Sequence, residues 1–266
     1  MPIDSTAGLS FSGQTVLVTG SSRNLGLAIA IAFIEAGARV VLHGCEANFQ
    51  ATYDGLQASY PEAELLQLAF DLSDATAIDR AFQQLDAQDW MPDVLVNNAA
   101  HLGLNDDGVL GQSPEFFREV LEVNLFGAFR CCQLVAQHQK QHEGGAIVNI
   151  SSLASQQGIY GRSAYNVSKA ALDGLTRSMA QELSGDGIRV NSLVLGYVWT
   201  ERWNHLPAGV EARRLKNMPA GAPSSQQEIA RTVLFLASAS APTLVGAQLI
   251  LDGGMATQQL PRDVGV

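Results

Sequence analysis

The chain has 266 residues, 47% of them hydrophobic and 16% charged, which is the balance of a packed globular protein and not of a disordered one. Sixteen Lys and Arg stand against 26 Asp and Glu, a formal charge of −10, so attraction to a phosphate backbone is weak and nucleic acid is not an expected partner. Three cysteines, Cys45, Cys131 and Cys132, make no disulfide framework, and no His/Cys/Asp cluster has ligand spacing, so no metal is expected.

Residues 1–13 carry neither a basic start nor an apolar core, which argues against a signal peptide. No apolar run reaches the roughly 18–20 residues of a membrane span. The expectation is a soluble cytoplasmic protein without a membrane partner.

Apolar runs at 15–19, 38–43, 64–70, 93–98, 146–151, 189–195 and 247–252 are rich in Val, Ile and Leu and do not alternate with polar residues. Continuous runs of this kind suit strands covered on both faces. Between them lie helical patterns at about 24–36, 46–59, 74–87, 114–141, 163–184 and 226–239. Ser113-Pro114 is a helix start, a capping hydroxyl followed by proline at the first helical position. The β-α-β alternation predicts an α/β fold, a doubly wound parallel sheet in one domain, with residues 1–12 as a tail and the domain over 13–266. Only about 197–225 breaks the rhythm. With Trp199 and Trp203 it reads as a lid over a binding site, or else as surface decoration.

Tyr165 and Lys169 are four residues apart, so in a helix the phenol and the ammonium share a face. A cation beside a phenol favours the phenolate and brings its proton chemistry towards neutral pH. Ser152, at the end of an apolar run, supplies a hydroxyl able to bind a carbonyl or alcohol oxygen. On its own the pair is no more than two exposed helical residues. What adds weight is TGSSRNLG over 19–26, between the first strand and its helix, where a glycine-rich turn lets a pyrophosphate approach the backbone and a helix N-terminus. Asn24 stands where a glycine is usual, and Asn tolerates positive φ. In open α/β sheets ligands bind beyond the carboxyl ends of the strands. That edge collects the glycine turn, Asp71-Leu72, Asn97 to Ala100, Ser151-Ser152 and Leu195-Gly196.

With these motifs the chain resembles the short-chain dehydrogenase/reductase family in its single-domain form, from about residue 13 to 254. TGSSRNLG, Asp71-Leu72, NNAA at 97–100, Asn124, Ser152 thirteen residues before Tyr165, YNVSK at 165–169, NSLVLG at 191–196 and LDGG at 251–254 carry the resemblance. It implies an NAD(P)-dependent oxidoreductase that interconverts a ketone or aldehyde and an alcohol by hydride transfer, with Rossmann topology. By the same resemblance Tyr165 is the general acid/base, Lys169 lowers its pKa and binds the nicotinamide ribose, and Ser152 polarises the substrate oxygen. Asn124 holds a water that links Lys169 to solvent. Cofactor contacts are expected from Gly20, Ser22, Arg23, Asn24, Leu25 and Gly26 in the turn. Further contacts are expected from His43, Asp71, Leu72, Asn98 and Ala99, from Tyr165 and Lys169, and from Gly196, Val198 and Thr200. Asp71 reads alternatively as an N-cap for the helix near 74, and Asn124 as a residue that only caps or kinks its helix.

The position at the end of the second strand where NAD-specific members carry an acid is Gly44, flanked by His43 and Cys45, with Glu46 assigned to the next helix. Arg23 resembles the basic residue that meets a 2′-phosphate, so NADP(H) is favoured and NAD(H) possible.

Substrate contacts are expected from Ser152, Tyr160, Tyr165, Trp199 and Trp203, with His101, Ser155, Gln156 and His205 as further candidates. A pocket of aromatics suits a small-molecule carbonyl compound. One alternative is a 3-oxoacyl-thioester reductase whose Arg202, Arg213, Arg214 and Lys216 dock an acidic carrier protein, unless these form a solvated face. Another, of a different class, is a catalytically silent dinucleotide-binding or regulatory scaffold. Family members usually form homotetramers, and faces around Phe116, Leu121, Phe129, Leu172 and Leu175 are compatible with one.

Overall fold

The computed structural model describes residues 9–45, 49–104 and 108–258. Seven strands form one parallel sheet: β1 (Thr15–Val18), β2 (Arg39–His43), β3 (Leu65–Leu68), β4 (Val94–Asn97), β5 (Gly145–Ser152), β6 (Ile188–Leu195) and β7 (Gln248–Leu251). Their order is β3-β2-β1-β4-β5-β6-β7, which reverses direction at β1/β4. All four residues of β1 and of β4 are buried, as continuous apolar runs require.

The helices are α1 (Asn24–Glu35), α2 (Phe49–Ser59), α3 (Ala75–Ala87), α4 (Gly108–Gly111), α5 (Pro114–Leu121), α6 (Ala128–Gln139), α7 (Ser163–Leu183), α8 (Val210–Lys216) and α9 (Gln226–Ala237). Two cores result, one per sheet face. Ile29 and Phe33 of α1 and Val233 of α9 pack with Val16 and Val40 on one side. Phe82 of α3, Val135 of α6 and Met179 of α7 pack with Leu17 and Leu95 on the other. Cys131 and Cys132 lie in this second core, where burial pushes both thiols above their ordinary range. Across the same face Asn97 donates to Asn149 Oδ1 at 2.8 Å, and Asn149 donates to Thr176 Oγ1 at 2.9 Å, tying β4, β5 and α7 together by buried amides.

Three expectations are corrected. The tail ends earlier than residue 12, because Phe11 is buried edge-on against Phe33 with ring centroids 4.9 Å apart and its N–H bonds to Ala36 O. The long helix expected over 114–141 is interrupted by a π-helical turn, Glu122–Gly127, which turns the Asn124 side chain inward to the backbone of His101. The helix expected over 46–59 is described from Phe49 to Ser59, and its expected start at 46, with Glu46, lies outside the described residues. Leu172 is buried within its own chain, and Phe116, Leu121 and Leu175 are half-buried. The exposed apolar face around α6 and α7 keeps Phe129 of the expected residues and adds Phe126 and Val167. Other boundaries follow the pattern closely, and Ser113 Oγ caps α5 by accepting from Phe116 N at 3.1 Å.

The carboxyl end of α9 is closed by a side chain from β6. Arg189 donates to the carbonyls of Leu236 and Ala237 at 2.9 and 2.8 Å. Helix ends leave such carbonyls without intrahelical partners. Arg189→Met should therefore cost about 1–3 kcal/mol of stability, read by denaturant unfolding. An unchanged midpoint would show that solvent satisfies those carbonyls as well as the guanidinium does.

Candidate active site

The strand ends carry a cleft of about 670 Å³. Its first wall is the turn after β1. Gly20 has φ of +64° and Asn24 has φ of +49°, so both occupy the left-handed region, and Asn24 does so without a glycine. A Cβ on Gly26 would collide with the carbonyl of Gly20, so this glycine is required for the turn and helix to meet. Asn98 holds the turn from β4 by donating to Thr19 O at 2.9 Å and Gly20 O at 3.1 Å.

His43 ties the same turn to two more strands. Its Nδ1 accepts from Gly20 N at 2.9 Å, and its Nε2 pairs with Phe70 O at 3.0 Å, which fixes the proton on Nε2. Its ring stacks on Phe70 at 4.1 Å. Both ring nitrogens are thus bonded to the protein, and His43 offers the cleft only its ring surface. At the end of β3, Asp71 does not cap the next helix. Asp74 does, accepting from Thr76 N and Ala77 N. Asp71 instead accepts from the N–H and hydroxyl of Ser73 at 2.8 Å, and with Leu72 it lines the cleft. Arg23, Gly44 and Cys45 line the same end.

At the other end stand Ser152, Tyr165 and Lys169. Ser152 closes β5 and accepts from Ala154 N at 3.2 Å. Lys169 is buried, and its Nζ donates to Ile150 O at 2.8 Å and lies 5.8 Å from the Tyr165 ring centre. Burial lowers the Lys169 pKa to about 8, with Asp173 one turn along opposing the shift. The Tyr165 pKa is raised. Burial of its hydroxyl is the largest cause, while the Ser152 hydroxyl and the Arg162 guanidinium pull it down. The expected lowering by Lys169 is therefore not what this geometry gives: the ammonium is turned to Ile150 O and is itself disfavoured by burial. Asn124, also buried, spends its amide on the His101 carbonyl at 2.9 Å and Ser168 Oγ at 3.0 Å, and its Oδ1 accepts from His101 N at 2.6 Å. It locks the β4 loop to the helix turn that carries Lys169.

The segment after β6 folds over the cleft. Val198 bridges to Ser224, and Gly196 approaches Asp252 so closely that a Cβ would collide with it. Leu195, in place of the expected proline, stays in the sheet opposite Leu251, and Gly196 N extends the pairing to Leu251 O at 3.1 Å. Val198, Thr200, Glu201 and Arg202 line the cleft.

Of the aromatic residues expected at the substrate, Tyr165 lines the cleft, and Tyr160, Trp199 and Trp203 do not. Trp203 is buried in the lid's own small core, with its indole N–H on Val198 O at 2.9 Å and its ring edge-on to Tyr197. Arg214 stacks over Tyr197 at 5.0 Å and Trp203 at 5.5 Å, so it braces the lid and is not part of a solvated face. Trp199 is half-exposed and Tyr160 is 94% exposed, and neither lines the cleft. Ser155, Gln156 and His205 also stand off the cleft. Among the further candidates only His101 reaches it. Leu102, Val123, Glu201 and Arg202 line it unannounced by any motif, since each comes in from a loop or helix whose path the sequence does not disclose.

The residues present fit a dinucleotide. The glycine turn leaves backbone room at α1, and the cleft runs without interruption from Arg23 to Tyr165. Among the described residues no cluster of His, Cys, Asp or Glu could hold a metal ion, and no helix is long and apolar enough to cross a membrane.

A buried lysine with a pKa of about 8, against 10.5 for the free group, burdens the fold below that pH. The unfolded chain binds the proton more tightly, so stability rises as pH climbs from about 8 towards 10.5 and the penalty is fully present below 8. Lys169→Met should stabilise the protein at pH 7 by up to about 3 kcal/mol, a gain that fades by pH 10. Thermal unfolding at the two pH values reads this out, and a variant less stable than wild type at both would contradict it.

Comparison with known proteins agrees with this geometry. Residues 20–256 match a family profile described as enoyl-(acyl carrier protein) reductase. A 3α-hydroxysteroid dehydrogenase of Mediterraneibacter gnavus is 33% identical over 90% of this chain and 96% of its own. A 3-oxoacyl-(acyl-carrier-protein) reductase of Escherichia coli is 33% identical over 93% of this chain and 99% of its own. The crystal structure of a gluconate 5-dehydrogenase from Burkholderia cenocepacia, in complex with NADP and tartrate, superposes with a TM-score of 0.87 at 28% identity, covering 94% of this chain and 98% of that one. With a profile spanning most of its length and these relatives on the same sheet, the chain belongs to the short-chain dehydrogenase/reductase family.

Proposed function

We propose that the protein is an NADP(H)-favouring oxidoreductase that interconverts a carbonyl compound and an alcohol, with Tyr165 as general acid/base. The observation that carries this is the gathering of Ser152, Tyr165 and Lys169 at one end of a cleft whose other end is a glycine turn. A bound nicotinamide dinucleotide supplies or accepts the hydride, which no side chain can do. Gly20, Ser22, Arg23, Asn24, Leu25 and Gly26 would hold it along the turn, with Asn98, Ala99, Gly196, Val198 and Thr200 along the far wall. The Ser152 hydroxyl orients the substrate oxygen, and the Tyr165 hydroxyl gives it a proton in reduction or takes one in oxidation. Lys169, buried beside Tyr165, would bind the nicotinamide ribose through its ammonium. Asn124 fixes the loop and helix between which a proton path to solvent would run.

NADP(H) is favoured because Arg23 lines the cleft and the described end of β2 presents Gly44 and Cys45, with no carboxylate to repel a 2′-phosphate. The gluconate 5-dehydrogenase complex with NADP supports the same choice. His101, Glu201 and Arg202 line the cleft together with Leu102 and Val123, and these polar groups would suit a hydroxylated compound. The 3-oxoacyl-thioester reading keeps the support of the Escherichia coli relative, but Arg214 is taken by the lid and leaves Arg202, Arg213 and Lys216 for a carrier protein. A homotetramer is proposed through the exposed Phe126, Phe129 and Val167 and through Leu249 and Ile250 of β7. Cys45, Cys131 and Cys132 form no disulfide among the described residues, which suits a cytoplasmic location.

Titration with NADPH and separately with NADH, followed by nicotinamide fluorescence, tests the cofactor. Tight NADPH with weak NADH is expected, and Arg23→Ala should cost NADPH far more than NADH. Equal losses would remove Arg23 from phosphate recognition, and binding of neither dinucleotide would favour a silent scaffold. Tyr165→Phe should keep NADPH binding and lose turnover in a ketone screen that includes acetoacetyl thioester. Turnover within about tenfold of wild type, ~1.4 kcal/mol in barrier, would reject the role of Tyr165.

A further inference from the structure

We propose that Arg162 is a positioning residue for the proton transfer at Tyr165, its guanidinium standing against the phenol ring and favouring the phenolate. The inference rests on the reading of Tyr165 as general acid/base. Arg162 precedes the first turn of α7, three residues before Tyr165, and its backbone is held there by a bond from its N–H to Ile159 O at 3.2 Å. The guanidinium carbon lies 5.9 Å from the ring centre, nearly the 5.8 Å of Lys169 Nζ, so two cations flank one phenol.

The two differ in what they can deliver. Lys169 is buried, bonds to Ile150 O and has a pKa of about 8, so its charge is lost as pH rises through that value. Arg162 is half-buried, and its side chain is a guanidinium, a delocalised cation, where Lys169 carries an amine. Among the described residues no carboxylate lies within ion-pairing distance of it, so its field is not spent on an anion. The other titratable or charged groups around the phenol are Lys169 and Asp173 on the same helix, His101 from the β4 loop, and Glu201 and Arg202 from the lid. On α5, which packs against α7, Glu115, Arg118 and Glu119 are all exposed. Of these charges Arg162 is the one that pulls the phenol towards ionisation, against the burial that opposes it.

The phenolate absorbance tests this without any substrate. Subtracting the titration of each protein's Tyr165→Phe counterpart isolates Tyr165 among the five tyrosines. Arg162→Gln should move the Tyr165 midpoint to higher pH and cut its phenolate fraction roughly threefold or more on the rising limb. Arg162→Lys, which keeps a cation, should move it less. In wild type, raising salt should move the midpoint the same way, because a half-exposed charge is screened where a buried one is not. That second measurement stands even where the glutamine variant fails to fold. A midpoint unmoved by Arg162→Gln, or a wild-type midpoint flat with salt, would overturn the proposal. Loss of all dehydrogenase activity from the ketone screen would reject the proposed function and leave this titration as it is.

Discussion

A parallel sheet with helices on both faces leaves its strand ends as the place where backbone polarity and solvent meet. Here both faces are sealed by separate apolar cores, so no polar side chain can be offered through the sheet without a buried partner. Asn97, Asn149 and Thr176 show what happens when one is placed there: each is tied to a neighbour across β4, β5 and α7. All seven strands run the same way, so every strand-to-helix turn of one polarity falls on one edge. The cleft is a consequence of that direction, and the register between strands decides which residues meet in it. Ser152 sits beside Leu195 and Leu195 beside Leu251, which brings the ends of β5, β6 and β7 to one level.

On that edge the site is assembled at the expense of stability. Lys169 and Asn124 are buried polar groups: the Asn124 amide is fully bonded, while the Lys169 ammonium sets one bond, to Ile150 O, against the cost of its desolvation. Burial acts on Tyr165 and Lys169 in opposite directions, raising one pKa and lowering the other, so both groups are pushed towards their neutral forms. Charge at the reacting end must then come from groups that burial does not neutralise. An arginine meets that condition better than a lysine, because its proton is held over the whole accessible pH range.

Much of this was legible in the residues. Continuous apolar runs located all seven strands, because a doubly covered strand has no polar face to confuse the pattern. Ser152, Tyr165, Lys169 and the glycine turn were legible because each lies at a fixed offset from a strand or helix end. The π-helical turn at Glu122–Gly127 was not, since the insertion of one residue into a helix leaves no mark in an amphipathic pattern; it follows from a tertiary bond between Asn124 and His101. Phe11 was hidden for a similar reason, because a single aromatic outside any periodic run gives no sign of the Phe33 ring it meets.

The lid shows where composition misleads. Tryptophan and tyrosine after a late strand suggest ligand contacts, yet a segment of this length folding away from the main cores must bury something of its own. Trp203 and Tyr197, with Arg214 laid over both, are that core. Once they are spent on holding the lid, the faces left towards the cleft belong to residues between them, Val198, Thr200, Glu201 and Arg202. A lid built this way turns residues other than its aromatic ones to the cleft, because the aromatic ones are already used in holding it together.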